Sequence, residues 1–256
     1  MITKKELEEI ARLKGTNLGN AEKDYLLDIA LLSISRNTKN ELVFKGGTCL
    51  YKFYNLSRFS EDLDFSAVKE IDVDKLIQKV ILDFEKFGIK ASMHKKKEPY
   101  NSILITLRIE GPLFNGKPIS YANIGIDINK KSEVMMVPDI KSYTPVYQEV
   151  PQVNVLCMTL EEIFSEKIRA LMSRERARDL FDLYFLLQKG ISADELLISK
   201  KMLYYNEKFY IKKLCSKISM FSSNWKKELV GLTKVLPDFE KVKEETIKKL
   251  KELYKD

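Results

Sequence analysis

One change of pattern, near residue 158, constrains this chain more than any other feature. From Thr159 onward the apolar residues recur at helical spacing, as in TLEEIFSEKIRALMS and RERARDLFDLYFLLQKG, and the Lys-rich remainder reads as further helices. The earlier residues instead mix two periods. Residues 3–13 and 20–36 read as helices, the second with Asn20 as a candidate cap. ELVFKGG (41–47) reads as a strand, TCLYKFYNL (48–56) as a helix opened by Thr48, and SEDLDFSA (60–67) as a second strand. An amphipathic helix over 73–88 stops at Gly88, and strands follow at 89–96, 101–112 and 121–130. A loop carrying Pro138, Pro145 and Pro151 then runs to about residue 157. The expectation is an α+β chain: a mixed-sheet domain over 1–157, with N-terminal helices, followed by a helical domain over 158–256.

Composition narrows the class. The longest apolar runs, such as ILITL at 103–107, fall far short of the roughly 18–20 residues that span a bilayer, so no membrane segment is expected. The start, MITKKELEEIARLK, has no apolar segment of the secretory kind. Cys49, Cys157 and Cys215 are odd in number and far apart, which fits neither a disulfide framework nor a zinc site and suits a reducing cytoplasm. A net charge of +7 suits a polyanionic partner, or equally a Lys-rich solvated surface. The single histidine, His94, sits in the exposed run MHKKK, which leaves Ser–His or Cys–His catalysis without a base. The adjoining Lys95–Lys97 run either touches RNA or solvates a hairpin.

The chemistry concentrates in RFSEDLDFS (58–66). On a strand Asp62 and Asp64 share one face, roughly 6.5–7 Å apart at Cα. Two ionised carboxylates about 5 Å apart repel by about 3 kcal/mol at an effective dielectric of 20. Such a pair shares a proton, pairs with a cation such as the nearby Arg58, or binds a divalent metal. GIDIN (125–129) supplies a third acid, Asp127, between two isoleucines that would face the core. Three carboxylates on neighbouring strands could hold one or two Mg²⁺ for in-line phosphoryl transfer; Asp127 could also be a plain strand-end acid. In FKGGTCLYK a strand runs into Gly46 and Gly47, which let backbone N–H groups approach a ligand, and a helix N-terminus attracts phosphate. Thr48 could cap that helix or bond a phosphate oxygen, and Lys52, one turn on, could reach the same anion. The pattern is neither GxGxxG nor a P-loop.

Glycine turn, helix, DxD strand and a later strand with one Asp is the order found in DNA polymerase β-like nucleotidyltransferases. KGGTCLYKFYNLSRFSEDLDFS, followed by KIRALMSRERARDLFDL, resembles more closely the AbiEii/AbiGii toxin family, nucleotidyltransferase-like proteins of phage-defence and toxin–antitoxin systems. The resemblance implies that Gly46, Gly47 and Thr48 hold NTP phosphates, that Asp62, Asp64 and Asp127 ligate Mg²⁺, and that an acid of the late motif, Asp182 rather than Asp179, belongs to the active site. Lys167, Arg174 and Arg178 would share one face of a continuous helix, a row of cations suited to NTP phosphates or an RNA backbone; a salt-bridged surface helix is the alternative. Leu180, Leu183, Tyr184, Leu187 and Trp225 read as core. The implied function is NMP transfer from an NTP to an acceptor hydroxyl, most simply a tRNA 3′ end, by a toxin with a cognate antitoxin. The rival readings are NMP transfer to a protein or small molecule, a metal-dependent nuclease, and a non-enzymatic nucleotide- or RNA-binding module.

Overall fold

A computed structural model describes residues 1–130 and 133–254, so the last two residues of the expected helical domain lie outside the described residues. The chain divides into two units: Met1–Val134 with Pro138–Cys157, and Met135–Val137 with Met158–Asp256. Among the described residues no helix is long and apolar enough to cross a membrane.

The first unit carries helices α1 (Lys4–Lys14), α2 (Leu18–Asn37), α3 (Gly46–Tyr54) and α4 (Val73–Lys86). Its strands are β1 (Leu42–Lys45), β2 (Asp62–Ala67), β3 (Ala91–Lys97), β4 (Ser102–Ile109), β5 (Ala122–Asn129), β6 (Asp139–Tyr143) and β7 (Val153–Cys157). They form one seven-stranded mixed sheet in the order β3-β4-β5-β2-β1-β7-β6. The β1–β7 and β2–β5 pairs are parallel and the others antiparallel.

Two local expectations change. The stretch read as a proline-rich loop contains β6 and β7. Its prolines fall just before β6 and between the two strands, where a missing N–H costs no ladder bond. Asn17, not Asn20, caps α2: its side chain accepts the Asn20 N–H.

The period-2 pattern explains the core. Leu63, Phe65, Ile103, Ile105, Ile126 and Ile128 are buried on one face of the sheet. Against this layer packs α2, which touches β2, β5 and β7 and lies beside α4.

The most deeply buried acids of α2 are Asp24 and Asp28, and burying a charge costs several kcal/mol unless it is paired. Their partner is Lys52 of α3, whose side chain has no exposure. Its Nζ lies 2.6 Å from Asp28 Oδ1 and also bonds Asp24, which takes a second bond from Lys14. The rings of Tyr51 and Tyr143 flank the Lys52 ammonium at 5.5 and 5.4 Å. Lys52 therefore does not reach a bound anion, as its spacing from the glycines suggests; its anions are internal. Burial pushes Asp28 up to about 7, with Lys52 pulling the other way. Burial would raise Asp24 too, but Lys52 and Lys14 hold it below the usual carboxylate range.

The second unit is built on α5 (Leu160–Ser173), α6 (Ala177–Gln188), α7 (Glu195–Leu203), α8 (Ile211–Ile218), α9 (Ser222–Leu229) and α10 (Phe239–Leu253). α5 packs on α6, α7 and α8, and α6 packs on α9 and α10. Trp225 stacks between Phe181 and Phe239, with ring centroids at 6.1 and 5.7 Å, and its Nε1–H donates to the Pro237 carbonyl at 2.9 Å. Residues Met135–Val137 group with these helices because the Glu162 carboxylate of α5 accepts the N–H groups of Met135 and Met136 at 2.8 and 3.0 Å. Lys201 closes on the same carboxylate at 2.6 Å.

Two variants test the buried cluster. Lys52→Met leaves two buried acids without their shared cation and is expected to cost about 3–5 kcal/mol in urea unfolding. Asp28 has a raised folded pKa, so its contribution is fully present below about pH 4 and is lost as pH rises through about 7. Asp28→Asn is therefore expected to flatten the fall in stability between about pH 4 and pH 7.

Candidate active site

The face of the sheet opposite the apolar layer carries the carboxylates. Along β2, Leu63 and Phe65 are buried while Asp62 is exposed and Asp64 half-buried. The parallel register with β5 sets Asp64 beside Asp127 and Asp62 beside Gly125. The antiparallel register with β1 sets Lys45 across from Asp64. A row Lys45–Asp64–Asp127 thus crosses three adjacent strands, about 4.8 Å apart per step. The cation at one end offsets part of the repulsion between the acids.

The glycines are there for space. Gly46 has φ 74°, in the left-handed region, and a Cβ on it would stand 3.0 Å from Asp64 Cγ and closer still to Oδ2. A Cβ on Gly125 would stand 3.1 Å from Asp62 Cγ. Each aspartate therefore rests against a bare Cα. The Asp64 carboxylate is turned toward the glycine bend rather than away from it.

Gly46 opens α3, so both glycines lie inside the helix's first turn, two residues earlier than the spacing suggests. Lys45 stands at the N-cap and supplies no side-chain acceptor to the first-turn amides. Free amides at a helix start favour an anion. Thr48 neither caps nor faces out. It is fully buried, and its hydroxyl donates to the Asp62 carbonyl, tying α3 to β2. Arg58 and Ser60 close on Gly47 from the other side: a Cβ there would lie 2.9 Å from Ser60 Oγ. The Arg58 Nη1 also donates to the Phe59 carbonyl at 3.0 Å.

This donor set suits a hard cation. The carboxylates supply oxygen ligands, and the space over Gly46 and Gly125 is what lets them lie flat against the backbone. Among the described residues no three acidic, histidine or cysteine side chains close into a metal cage by themselves. Mg²⁺ does not require one, since it is commonly held by one or two carboxylates with substrate phosphates and water completing its shell.

In the second unit the late motif is not one continuous helix. α5 ends at Ser173 and α6 begins at Ala177, so Lys167, Arg174 and Arg178 do not form the single cationic stripe that their spacing suggests. Lys167 bridges Asp179 and Asp182, 2.8 Å from each, and Arg174 Nε, in the break, reaches Asp179 at 2.8 Å. Asp182 has no exposed side chain and Arg178 is half-exposed. Burial would raise Asp179, but Lys167 and Arg174 overcome it and hold the carboxyl well below the usual range.

Sequence reasoning missed Lys45, Gly125 and Ser60. Lys45 was visible as the last strand residue before the glycines. Gly125, the one glycine within a strand among the described residues, was a sign of close approach.

A sequence model of the nucleotidyl transferase AbiEii toxin family, type IV toxin–antitoxin system, matches residues 30–251. Among solved structures the fold is similar to MenT4, a nucleotidyltransferase toxin from Mycobacterium tuberculosis H37Rv, with TM-score 0.70 and 18% identity, covering 100% of this chain and 92% of that one. It is also similar to JHP933 from Helicobacter pylori, with TM-score 0.57 and 20% identity over 94% of each chain. No curated protein matches the chain by sequence.

Gly125→Ala is expected to displace the Asp62 carboxylate and weaken Mn²⁺ binding by about 10-fold or more in titration calorimetry. Asp179→Asn is expected to cost about 1.5–3 kcal/mol at pH 7, because Arg174 loses its acid and Lys167 is left with Asp182 alone. The lowered folded pKa of Asp179 makes that contribution present above about pH 4 and lost as pH falls, so the variant is expected to lose part of the acid limb of the unfolding profile.

Proposed function

Because the chain belongs to the AbiEii family of nucleotidyl transferase toxins of type IV toxin–antitoxin systems, we propose that it transfers an NMP from an NTP to the hydroxyl at a tRNA 3′ end, with Mg²⁺ as its cofactor and a cognate antitoxin as its counterpart in the cell. The chain is a nucleotidyltransferase. The observation that carries the finer reading is the convergence of the Asp62–Asp64 pair with the glycine bend, Asp64 lying against Gly46 itself.

Each residue has a part in this reading. Asp62 and Asp64 would hold Mg²⁺, which supplies neutralisation of phosphate charge when bound. The Gly46 and Gly47 amides, at the positive end of α3, bind the departing phosphates. Asp127, in register with Asp64, takes or orients the proton of the acceptor hydroxyl as it attacks the α-phosphorus and pyrophosphate leaves. Thr48 and Lys52 act at one remove: the first anchors α3 to β2, the second anchors it to α2. The family resemblance also gives Lys167 and Asp182 a place in the reaction, and these two side chains are bonded to each other.

The test is incubation with each radiolabelled NTP in turn, Mg²⁺ and total tRNA. Label is expected in the tRNA band and is expected to fall at least 10³-fold in Asp62→Ala and Asp64→Ala, with folding unchanged by circular dichroism, because orienting and charge-neutralising groups each contribute effects of about that size. Label in protein or in a small molecule instead would overturn the acceptor; shortened RNA without label would identify a nuclease.

A further inference from the structure

The carboxylate row does not end at β5. The antiparallel registers continue it: Asp127 stands beside Leu104 of β4, which stands beside Lys97 of β3. The neighbouring row runs from Asp62 through Gly125 and Thr106 to Lys95, and the next pairs Asn123 with Arg108 and Ser92. Lys95, Lys97 and Arg108 therefore project from the same face as the acids, one or two strands beyond Asp127, about 5–10 Å from it at strand spacing, and one strand further from Asp62 and Asp64. This face is open: Lys95, Lys97, Leu104 and Asn123 are all exposed. Arg108 is braced with its Cζ 5.3 Å from the Tyr121 ring centroid and Nη2 2.9 Å from His94 Nε2.

The alternation of the strand sorts its three lysines. Lys96 points to the helix-covered face and is neutralised by Asp74 of α4 at 2.8 Å and Glu98 at 3.0 Å. Among the described residues Lys95 and Lys97 make no ion pair. Lysines on an edge strand also discourage pairing with another sheet, but that job does not require them to face the acids. Acids attract a metal and an NTP, whereas uncompensated cations just beyond them complement the backbone of a polyanionic acceptor, and the exposed Leu104 between them offers an apolar rest for a base or sugar.

The geometry points to this open face of β3 and β4 as the track for a single-stranded polynucleotide acceptor, with Lys95 and Lys97 bonding successive phosphates upstream of the reacting hydroxyl. The inference rests on the transferase reading for direction, but not for its test.

Binding of a fluorescein-labelled single-stranded RNA 12-mer, without NTP, is measured by anisotropy from 50 to 200 mM salt. Lys95→Gln with Lys97→Gln is expected to make the log–log salt slope less negative by about 1.4, so that the wild type loses ~7-fold more affinity than the variant over that range. The control is Lys75→Gln with Lys79→Gln, two exposed lysines on α4 that change the net charge equally; it is expected to leave the slope unchanged. In the labelling assay the β3 variant is expected to raise KM for RNA and leave KM for NTP unchanged. Equal slopes for the two double variants, or no RNA binding by the wild type, would overturn the track. A slope difference in a protein that labels no RNA would sustain the track and overturn the transfer reading alone.

Discussion

A single ammonium group holds the site's geometry. Lys52 is sealed between Asp24 and Asp28, and through it the helix that begins at Gly46 is fixed to the long helix under the sheet. The Thr48 hydroxyl fixes the same helix to β2. With α3 held at both places, its first-turn amides and the Asp64 carboxylate keep a constant spacing. Breaking a fully buried ion pair costs more than a surface pair could, so this anchor is strong because it is dry.

Much of the chemistry was legible in the chain. Asp62 and Asp64 sit at strand spacing with Leu63 and Phe65 on the other side, and GIDIN declares its own alternation; sheet periodicity alone then predicts which side chains leave the core. The expectation that Asp127 lies on a strand neighbouring Asp62 and Asp64 holds, but its register against Asp64 was not legible, since register depends on which strands pair over long sequence separations. Here β2 lies beside β5 and not beside β3. Gly125 makes sense only once that register is known.

Lys52 shows the limit of local reasoning. Its spacing from the glycines suggested that it reaches the anion they bind, but its partners are Asp24 and Asp28. These sit four residues apart inside the apolar run DYLLDIALL, a sign that the helix would need a buried cation. β6 and β7 were hidden for another reason: three prolines drew attention to turns, while VNVLC alternates well enough to be a strand. The break after Ser173 carried no glycine or proline signal. It is stabilised by Arg174 folding back on Asp179, a tertiary contact that no local pattern announces.

The attachment of Met135–Val137 to Glu162 bears on how this polypeptide can be handled in pieces. A fragment opening at Met158 would keep Glu162 and its lysine but lack the two amides that complete the carboxylate's bonding, while the complementary piece would carry an apolar tripeptide with no seat. Split expression or domain transplantation therefore has to carry residues 135–137 alongside the helices as a second segment, and the polypeptide is interleaved rather than laid end to end.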